Sequence, residues 1–373
     1  MRKSIRSFEF IKLRRNNGFF LRTEPYNNLP LLPPDKSAYE SLDIYKKLAE
    51  ARSALAELKG RLPVVPNPMM LINTLVLQEA RASSEIENVI TTTDKMFRAF
   101  TADKKNIDPA SKEVLRYREA LWKSFTSKYS KMDRDVIIKI FKIITGKDET
   151  LRDGQVFIGN AYDIVYTPPI HSLVDEKLAN WLDFYRTMND IDPLIKMAIM
   201  HYQFEAIHPF SDGNGRTGRI LNVLYLTDHN LLEIPVLYIS KHILEHKNKY
   251  YQLLSEVTEK NNWKEWILFM LEAVRRTSTF TLDKVNAIFS LFNEIQEKVR
   301  NETPSIYSHE LIEVLFSQPY CKNKILVENE IASRNTASKY LNELVKLNIL
   351  QIHKEGKETL YLNTQLYDIL SKN

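Results

Sequence analysis

Twelve consecutive residues, His208 to Arg219, hold more chemistry than a structural loop needs; they read His-Pro-Phe-Ser-Asp-Gly-Asn-Gly-Arg-Thr-Gly-Arg. A histidine with its ordinary pKa of about 6.5 can take a proton from an attacking hydroxyl at neutral pH. Asp212 offers a carboxylate of the kind that magnesium takes beside phosphate oxygens. Gly213, Gly215 and Gly218 allow backbone N–H groups to converge on a concave anion seat. A helix starting near Asn214 aims its positive end at that seat. Arg216 and Arg219 are three apart on the new helix, so both can face one anion, and the planar guanidinium fork suits phosphate. The sum is a seat for a magnesium-bound polyphosphate with a base at its edge.

Context excludes two other glycine motifs. Gly213-x-Gly215-x-x-Gly218 has the dinucleotide-binding spacing, but a strand must precede that motif and the residues before His208 read as helix. Gly213 and Gly218 also have the separation of a P-loop. There, however, Arg219 stands in place of the lysine and Ile220 in place of the Ser or Thr that holds magnesium.

The elements that must position this stretch are helical. Pro193 to Ile207 is strongly apolar and leads straight into His208, and Ile220 to Leu226 continues a buried helix to about Thr227. Upstream, residues 1–36 are irregular and proline-rich and read as an arm on the domain surface. Helices are expected over Ser37–Gly60, about Met69–Ile90, Pro109–Lys128, Asp133–Ile144 and Val174–Arg186. Ser83 and Glu87 share one face near the end of the second, which by itself reads as an acidic, solvated helix end. Two β-rich runs around Gly159-Asn160 form a hairpin over about 156–167, its second strand stopped by Pro168 and Pro169. A helix runs through Tyr250 and Tyr251, and a long pattern from Trp263 to about Val299 is one helix or two. Asn301 to Pro304 marks a boundary. Beyond it, a helix at Ser308–Phe316, a turn entering a helix over 330–345 and a hairpin over 349–362 resemble a winged helix.

Composition sets the frame. The 373 residues are 44% hydrophobic and 27% charged, ordinary for a protein that buries a core, and the net charge of +5 permits nucleotide or nucleic-acid contact without arguing for either. One cysteine, Cys321, excludes an internal disulfide and a cysteine-held zinc. No run of signal-peptide or membrane-span length is present, and the expectation is a cytoplasmic protein.

The stretch 208–219 is identified as matching, at every specified position, the motif of the Fic (filamentation induced by cAMP) family, His-x-Phe-x-Asp/Glu-Gly-Asn-Gly-Arg-x-x-Arg. The resemblance implies a mainly α fold, a Fic-type helical bundle over 37–300 with a β-hairpin flap, followed here by a winged-helix domain over 301–373. It implies transfer of AMP from ATP to a Tyr, Thr or Ser hydroxyl of a target protein. His208 would be the general base, Phe210 a core anchor and Asp212 the Mg²⁺ ligand. Gly213, Asn214, Gly215, Arg216, Thr217, Gly218 and Arg219 would form the ATP-binding run. Many members of the family carry an inhibitory motif, Ser/Thr-x-x-x-Glu-Gly/Asn, which Ser83, Glu87 and Asn88 fit. Glu87 would then pair with Arg219 and oppose ATP. The hairpin at 156–167 resembles the flap that lines up the target segment, and Tyr250 and Tyr251 fall where similar proteins contact adenine.

Two other functions remain open on sequence: AMP removal or another phosphate-group transfer at the same site, and DNA binding through residues 305–370. For the latter, Arg334, Lys339, Lys346, Lys354 and Lys357 make a thin basic footprint, and a protein-docking role is equally open. The sequence leaves monomer and homodimer undecided.

Overall fold

Asn67-Pro68, Asp108-Pro109 and Asp192-Pro193 open three helices in the same way. Each polar side chain accepts a hydrogen bond from a first-turn N–H, and the proline sits where no N–H is needed. The computed structural model describes residues 13–15, 18–65, 67–101, 107–127, 132–160, 163–187, 190–355 and 358–372. The basic start of the chain, residues 1–8, lies outside them, as do Lys128 and the wing residue Lys357.

In chain order, a small hairpin, β1 (Leu13–Arg15) and β2 (Gly18–Phe20), precedes α1 (Leu42–Arg61), α2 (Pro68–Ile86), α3 (Thr93–Thr101), α4 (Pro109–Thr126) and α5 (Arg134–Thr145). A second hairpin follows, β3 (Ile158–Asn160) and β4 (Asp163–Tyr166), then α6 (Val174–Arg186), α7 (Pro193–Ile207), α8 (Asn214–Asp228), α9 (Ile239–Glu245), α10 (Lys247–Lys260) and α11 (Trp263–Glu302). The C-terminal part contains α12 (His309–Phe316), β5 (Tyr320–Cys321), α13 (Asn323–Glu328), α14 (Arg334–Lys346), β6 (Gln351–Glu355), β7 (Glu358–Leu362) and α15 (Thr364–Ser371). Its strands form an antiparallel sheet in the order β5-β7-β6. The chain is mainly helical, with small antiparallel sheets. Among the described residues, no helix is long and apolar enough to cross a membrane.

α7 is the central helix, buried from Leu194 to Phe204 on every side. Two indoles fix its height: Trp181 Nε1 donates to Met200 O and Trp266 Nε1 to Ala198 O, both at 2.8 Å. α1 lies along α11, and α2 packs on α4 and α9.

Two expectations change, one open choice is settled, and one segment gains contacts. α2 ends at Ile86 rather than near Ile90, for a reason that belongs to the site. The pattern from Trp263 is one 40-residue helix. It holds no Gly or Pro, and burial of Thr277, Ser278 and Thr281 overrides their weak helix propensity. The arm is not merely superficial, since Phe20, Leu29 and Leu32 are buried. Lys177 Nζ donates to Leu29 O, and Asn180 pairs with both backbone groups of Leu32. Finally, the segment after residue 301 is bound to the helices before it. Asn67 Nδ2 donates to Glu313 Oε2, Tyr320 OH to Asp94 Oδ1, and Gln78 Nε2 to Leu370 O. The helices α3, α13 and α15 were not anticipated; at 9, 6 and 8 residues each is too short to show several turns of pattern.

Candidate active site

α7 must stop at Ile207, and it does so by putting His208 in the left-handed region at φ 51°. This strained turn lifts the histidine out of the helix. A guanidinium that sequence reasoning missed holds the turn in place. Arg152, 7% exposed, donates through Nε to His208 O at 2.8 Å, and through its other nitrogens to Gly154 O and Pro169 O. Its backbone N–H also donates to Pro209 O at 2.9 Å. Only a fold that brings residues 152 and 208 together reveals this clamp. Arg152→Ala leaves those carbonyls without their charge-assisted donor and is expected to cost about 2–4 kcal/mol. Denaturant melts would measure that loss, and an unchanged midpoint would exclude the clamp.

Past the turn, Phe210 is fully buried and stacks on Phe141 with centroids 4.0 Å apart. Asn214 closes the loop, its Oδ1 accepting from Phe210 N and its Nδ2 donating to Phe210 O, each at 2.9 Å. The side chain of Asn214 is therefore spent on the loop. What it can offer a phosphate is its backbone N–H. Gly213 takes φ 74° and precedes α8 with no side-chain cap, so the first N–H groups of α8 stay available. Thr217 is buried, with Oγ1 donating to Gly213 O at 2.9 Å. A side chain at Gly218 would run into Glu205 Oε1 and Phe204, so that glycine serves α7–α8 packing.

His208 Nδ1 lies 3.3 Å from Glu205 O. A carbonyl only accepts, so Nδ1 carries the proton and Nε2 keeps its lone pair. Among the described residues Nε2 has no protein partner. Burial lowers the His208 pKa to about 4, against an opposing pull from the Glu205 carbonyl and with help from nearby Arg152. The ring is thus neutral at pH 7. Because the unfolded chain takes the proton first, this group's contribution to stability is lost as pH falls from about 6.5 towards the folded value. Glu205 lines the same cleft, with Oε1 buried and unpartnered, and burial raises its pKa to about 7.

Asp212 is exposed, as is Ser211 beside it. Its Oδ1 accepts from Gly213 N at 2.7 Å and lies 3.8 Å from Arg216, while Oδ2 has no protein partner among the described residues. An exposed carboxylate with a free oxygen beside an uncapped helix start fits magnesium, which takes few protein ligands and fills its shell with phosphate oxygens and water. Arg216 is 5% exposed and pairs with Glu113 at 2.5 Å.

Arg219 turns the other way, towards α2. It is 1% exposed and makes three bonds there: Nε to Ser83 Oγ at 2.7 Å, and a terminal nitrogen to Ser83 O at 2.9 Å and to Glu87 Oε1 at 2.8 Å. The end of α2 explains how Glu87 arrives. Glu87 is the capping residue, Asn88 follows at φ 62°, Asn88 N bonds Glu85 O, and Val89 N bonds Ser84 O, both at 3.0 Å. That is a Schellman ending, which needs a residue tolerant of the left-handed region, as asparagine or glycine is. It swings Glu87 off the helix and over the start of α8, where a side chain at Gly215 would collide with Glu87 Oε1. Lys247 Nζ holds Asn88 Oδ1 at 3.1 Å.

The cleft of about 450 Å³ is lined by His208, Asp212, Gly213, Asn214, Gly215, Arg219 and Glu87 on one side. On the other stand the hairpin residues Ile158, Gly159, Val165 and Tyr166, and beyond them Tyr202, Tyr250 and Tyr251. Tyr250 is buried, and its hydroxyl pairs with His201 Nε2 at 2.9 Å. Tyr251 is 39% exposed. Tyr166 OH donates to Ala206 O and ties the β3–β4 hairpin to α7. The arm contributes Phe20, which stacks on Tyr166.

Comparison with known proteins now has a site to meet. The sequence matches the Fic/DOC family N-terminal region over residues 45–126, the Fic/DOC family over 129–226, and the protein adenylyltransferase SoFic-like C-terminal domain over 291–366. The chain belongs to the Fic/DOC family. In this Fic-family chain the second match holds both the β3–β4 hairpin and His208 to Arg219, and the first holds Ser83, Glu87 and Asn88. Protein adenylyltransferase fic-1 of Caenorhabditis briggsae is 36% identical over 90 residues, 23% of this chain and 18% of that protein. Protein adenylyltransferase Fic of Culex quinquefasciatus is 24% identical over 247 residues, 65% of this chain and 44% of that protein. The chain therefore spans less than half of either relative. The crystal structure of a Fic family protein from Desulfovibrio desulfuricans has a TM-score of 0.56 at 20% identity, covering 88% of this chain and 98% of that one, a likeness of fold.

Proposed function

We propose that this Fic-family chain transfers AMP from ATP to a hydroxyl side chain of a target protein and that Glu87 holds the activity in check. One observation carries the reading: an uncapped helix start flanked by a neutral imidazole already seats a carboxylate, that of Glu87, on the arginine a phosphate would need. A seat that accepts one anion accepts another.

In this reading ATP lies in the cleft with its phosphates on the N–H groups of Asn214 and Gly215 at the start of α8 and its terminal phosphate on Arg219, in place of Glu87. Asp212 holds Mg²⁺, which when bound screens the phosphate charge. Tyr251, which lines the cleft and is partly exposed, would meet the adenine, while Tyr250 supports it from the core. The target segment adds to the β3–β4 hairpin by main-chain pairing, since a two-stranded sheet leaves edges open. Its hydroxyl oxygen bonds to the α-phosphorus, the bond from that phosphorus to the bridging oxygen breaks, and pyrophosphate leaves. The hydroxyl proton passes to His208 Nε2. The chain's contribution is position and charge.

Two labels on ATP test this in the Glu87→Gly protein incubated with lysate. Label on the α-phosphate should enter protein, and label on the γ-phosphate should not. The reverse pattern means phosphate transfer, and release of AMP from an AMP-bearing protein without ATP means removal. A base held at about pKa 4 also predicts that transfer keeps most of its rate down to pH 5.5, instead of halving near 6.5. A pH profile of kcat/KM with an acid limb centred near 6.5 would contradict the assignment.

For residues 305–370, docking of protein is favoured over DNA. On α14 Lys346 is paired with Glu343 at 2.7 Å, which leaves Arg334 and Lys339 as a thin footprint for tracking phosphates.

A further inference from the structure

Outside the nucleotide cleft, α9 carries a second group of chemistry-bearing side chains. His242, Glu245 and His246 stand at i, i+3 and i+4, so they share one helical face. Candidate donor atoms from all three lie within 4.8 Å of one another. His242 is 4% exposed, and its Nδ1 is buried without a hydrogen-bond partner. A buried polar atom left unsatisfied calls for a reason, such as an ion that completes it. His246 Nδ1 lies 3.0 Å from His242 O, so Nδ1 carries the proton and Nε2 keeps its lone pair. Metal-binding histidines use this division, with one nitrogen on the metal and the other N–H on a carbonyl or carboxylate. Phe269 packs against both rings and fixes them.

The charges nearby do not favour an anion. A cleft of about 230 Å³ beside the two rings is also lined by Lys249, Glu265, Glu272 and Arg276. Arg276 is spent on Glu272 at 2.6 Å. Lys241 takes only Oε1 of Glu245, at 2.5 Å, and Oε2 has no protein partner among the described residues. Among the lining side chains Lys249 and Arg276 are matched in number by Glu265 and Glu272, so the lining holds no surplus of positive charge for a phosphate.

We propose that His242, Glu245 and His246 bind one divalent transition-metal ion of the zinc, cobalt or nickel type, with water completing its shell. Two imidazoles and one carboxylate select these metals, whereas magnesium and calcium prefer oxygen throughout. The site is thereby separate from Asp212 in place and in metal. Its position gives it a structural consequence, because His246 ends α9 and begins α10. A metal there braces the joint from which Lys247 reaches Asn88 and on which Tyr250 and Tyr251 are carried.

Titration of the chelator-treated full chain with Co²⁺, read by its visible d–d absorption, tests the site. One equivalent should bind, zinc should displace it and excess magnesium should not. His246→Gln and Glu245→Gln should each weaken binding about tenfold or more, with Asp212→Ala unaffected. The Glu245 side chain is 48% exposed, so its variant reports the site without disturbing the core. Absence of the bands in the parent chain, or binding unchanged in both variants, overturns the proposal, as does loss of the bands in Asp212→Ala.

Discussion

His208→Ala, made in the Glu87→Gly background, is expected to lower AMP incorporation by roughly a thousandfold while leaving ATP affinity within about twofold. The two parts of this expectation come from different atoms. His208 gives the cleft a lone pair on Nε2, and among the described residues its ring makes one hydrogen bond, through Nδ1 to Glu205 O. The phosphate seat is built from the start of α8 and from Arg219, which the substitution does not touch. A binding measurement with ATP and magnesium, alongside label incorporation, separates the two. An equal loss in both would mean that His208 holds phosphate rather than takes a proton. Glu205 is the nearest competitor for the role, since it lines the cleft and has a pKa of about 7. If Glu205 takes the proton instead, His208→Ala costs little, and the acid limb of kcat/KM falls near pH 7.

How far the sequence could reach depends on the range of each interaction. The turn from His208 to Arg219 is local, and its glycines, arginines and histidine announce a phosphate seat through their types alone. α6 and α7 were legible to the residue, because Pro193 and an apolar run mark one and a clear amphipathic stripe the other. Arg152 was invisible, since three of its four carbonyl partners, His208, Pro169 and Ile207, come from segments that meet it only in the fold. The sequence also placed α2 four residues too long. Asn88 is a weak stop signal by itself, and its meaning appears only when Val89 N closes on Ser84 O. Asn214 was legible as part of the motif but not in its role, because a side chain folded back on Phe210 has no mark in composition. The links from Gln78 to α15 and from Asn67 to α12 join residues more than two hundred positions apart, and no pattern encodes such a pairing.

Glu87→Gly is expected to raise AMP incorporation at least about tenfold, equivalent to about 1.4 kcal/mol of relief or more, and to raise ATP affinity with it. The energetic case begins with burial. Arg219 is 1% exposed, and its charge is balanced across the cleft by Glu87, itself 32% exposed. In the proposed reading ATP must break that pair before it can use the arginine, and it meets a like charge while doing so. Removing the carboxylate removes both costs. The same step should make the ligand-free protein less stable. A buried guanidinium stripped of its counter-charge typically costs about 3–5 kcal/mol. Here Ser83 Oγ and Ser83 O still accept from Arg219, so the loss should fall at the lower end. Simple loss of a surface charge would predict no such pattern. The variant should therefore melt below the parent without nucleotide and recover more than the parent when ATP and magnesium are added, by the mass-action rule for ligands that bind only the folded state. Ser83→Ala in the parent should move both readouts the same way by a smaller amount, because it removes one acceptor from Arg219 and leaves Glu87 in place. Unchanged ATP binding and unchanged labelling in Glu87→Gly would reduce the contact with Arg219 to a structural tie between α2 and α8, and the Schellman turn that delivers Glu87 would then be only the end of a helix.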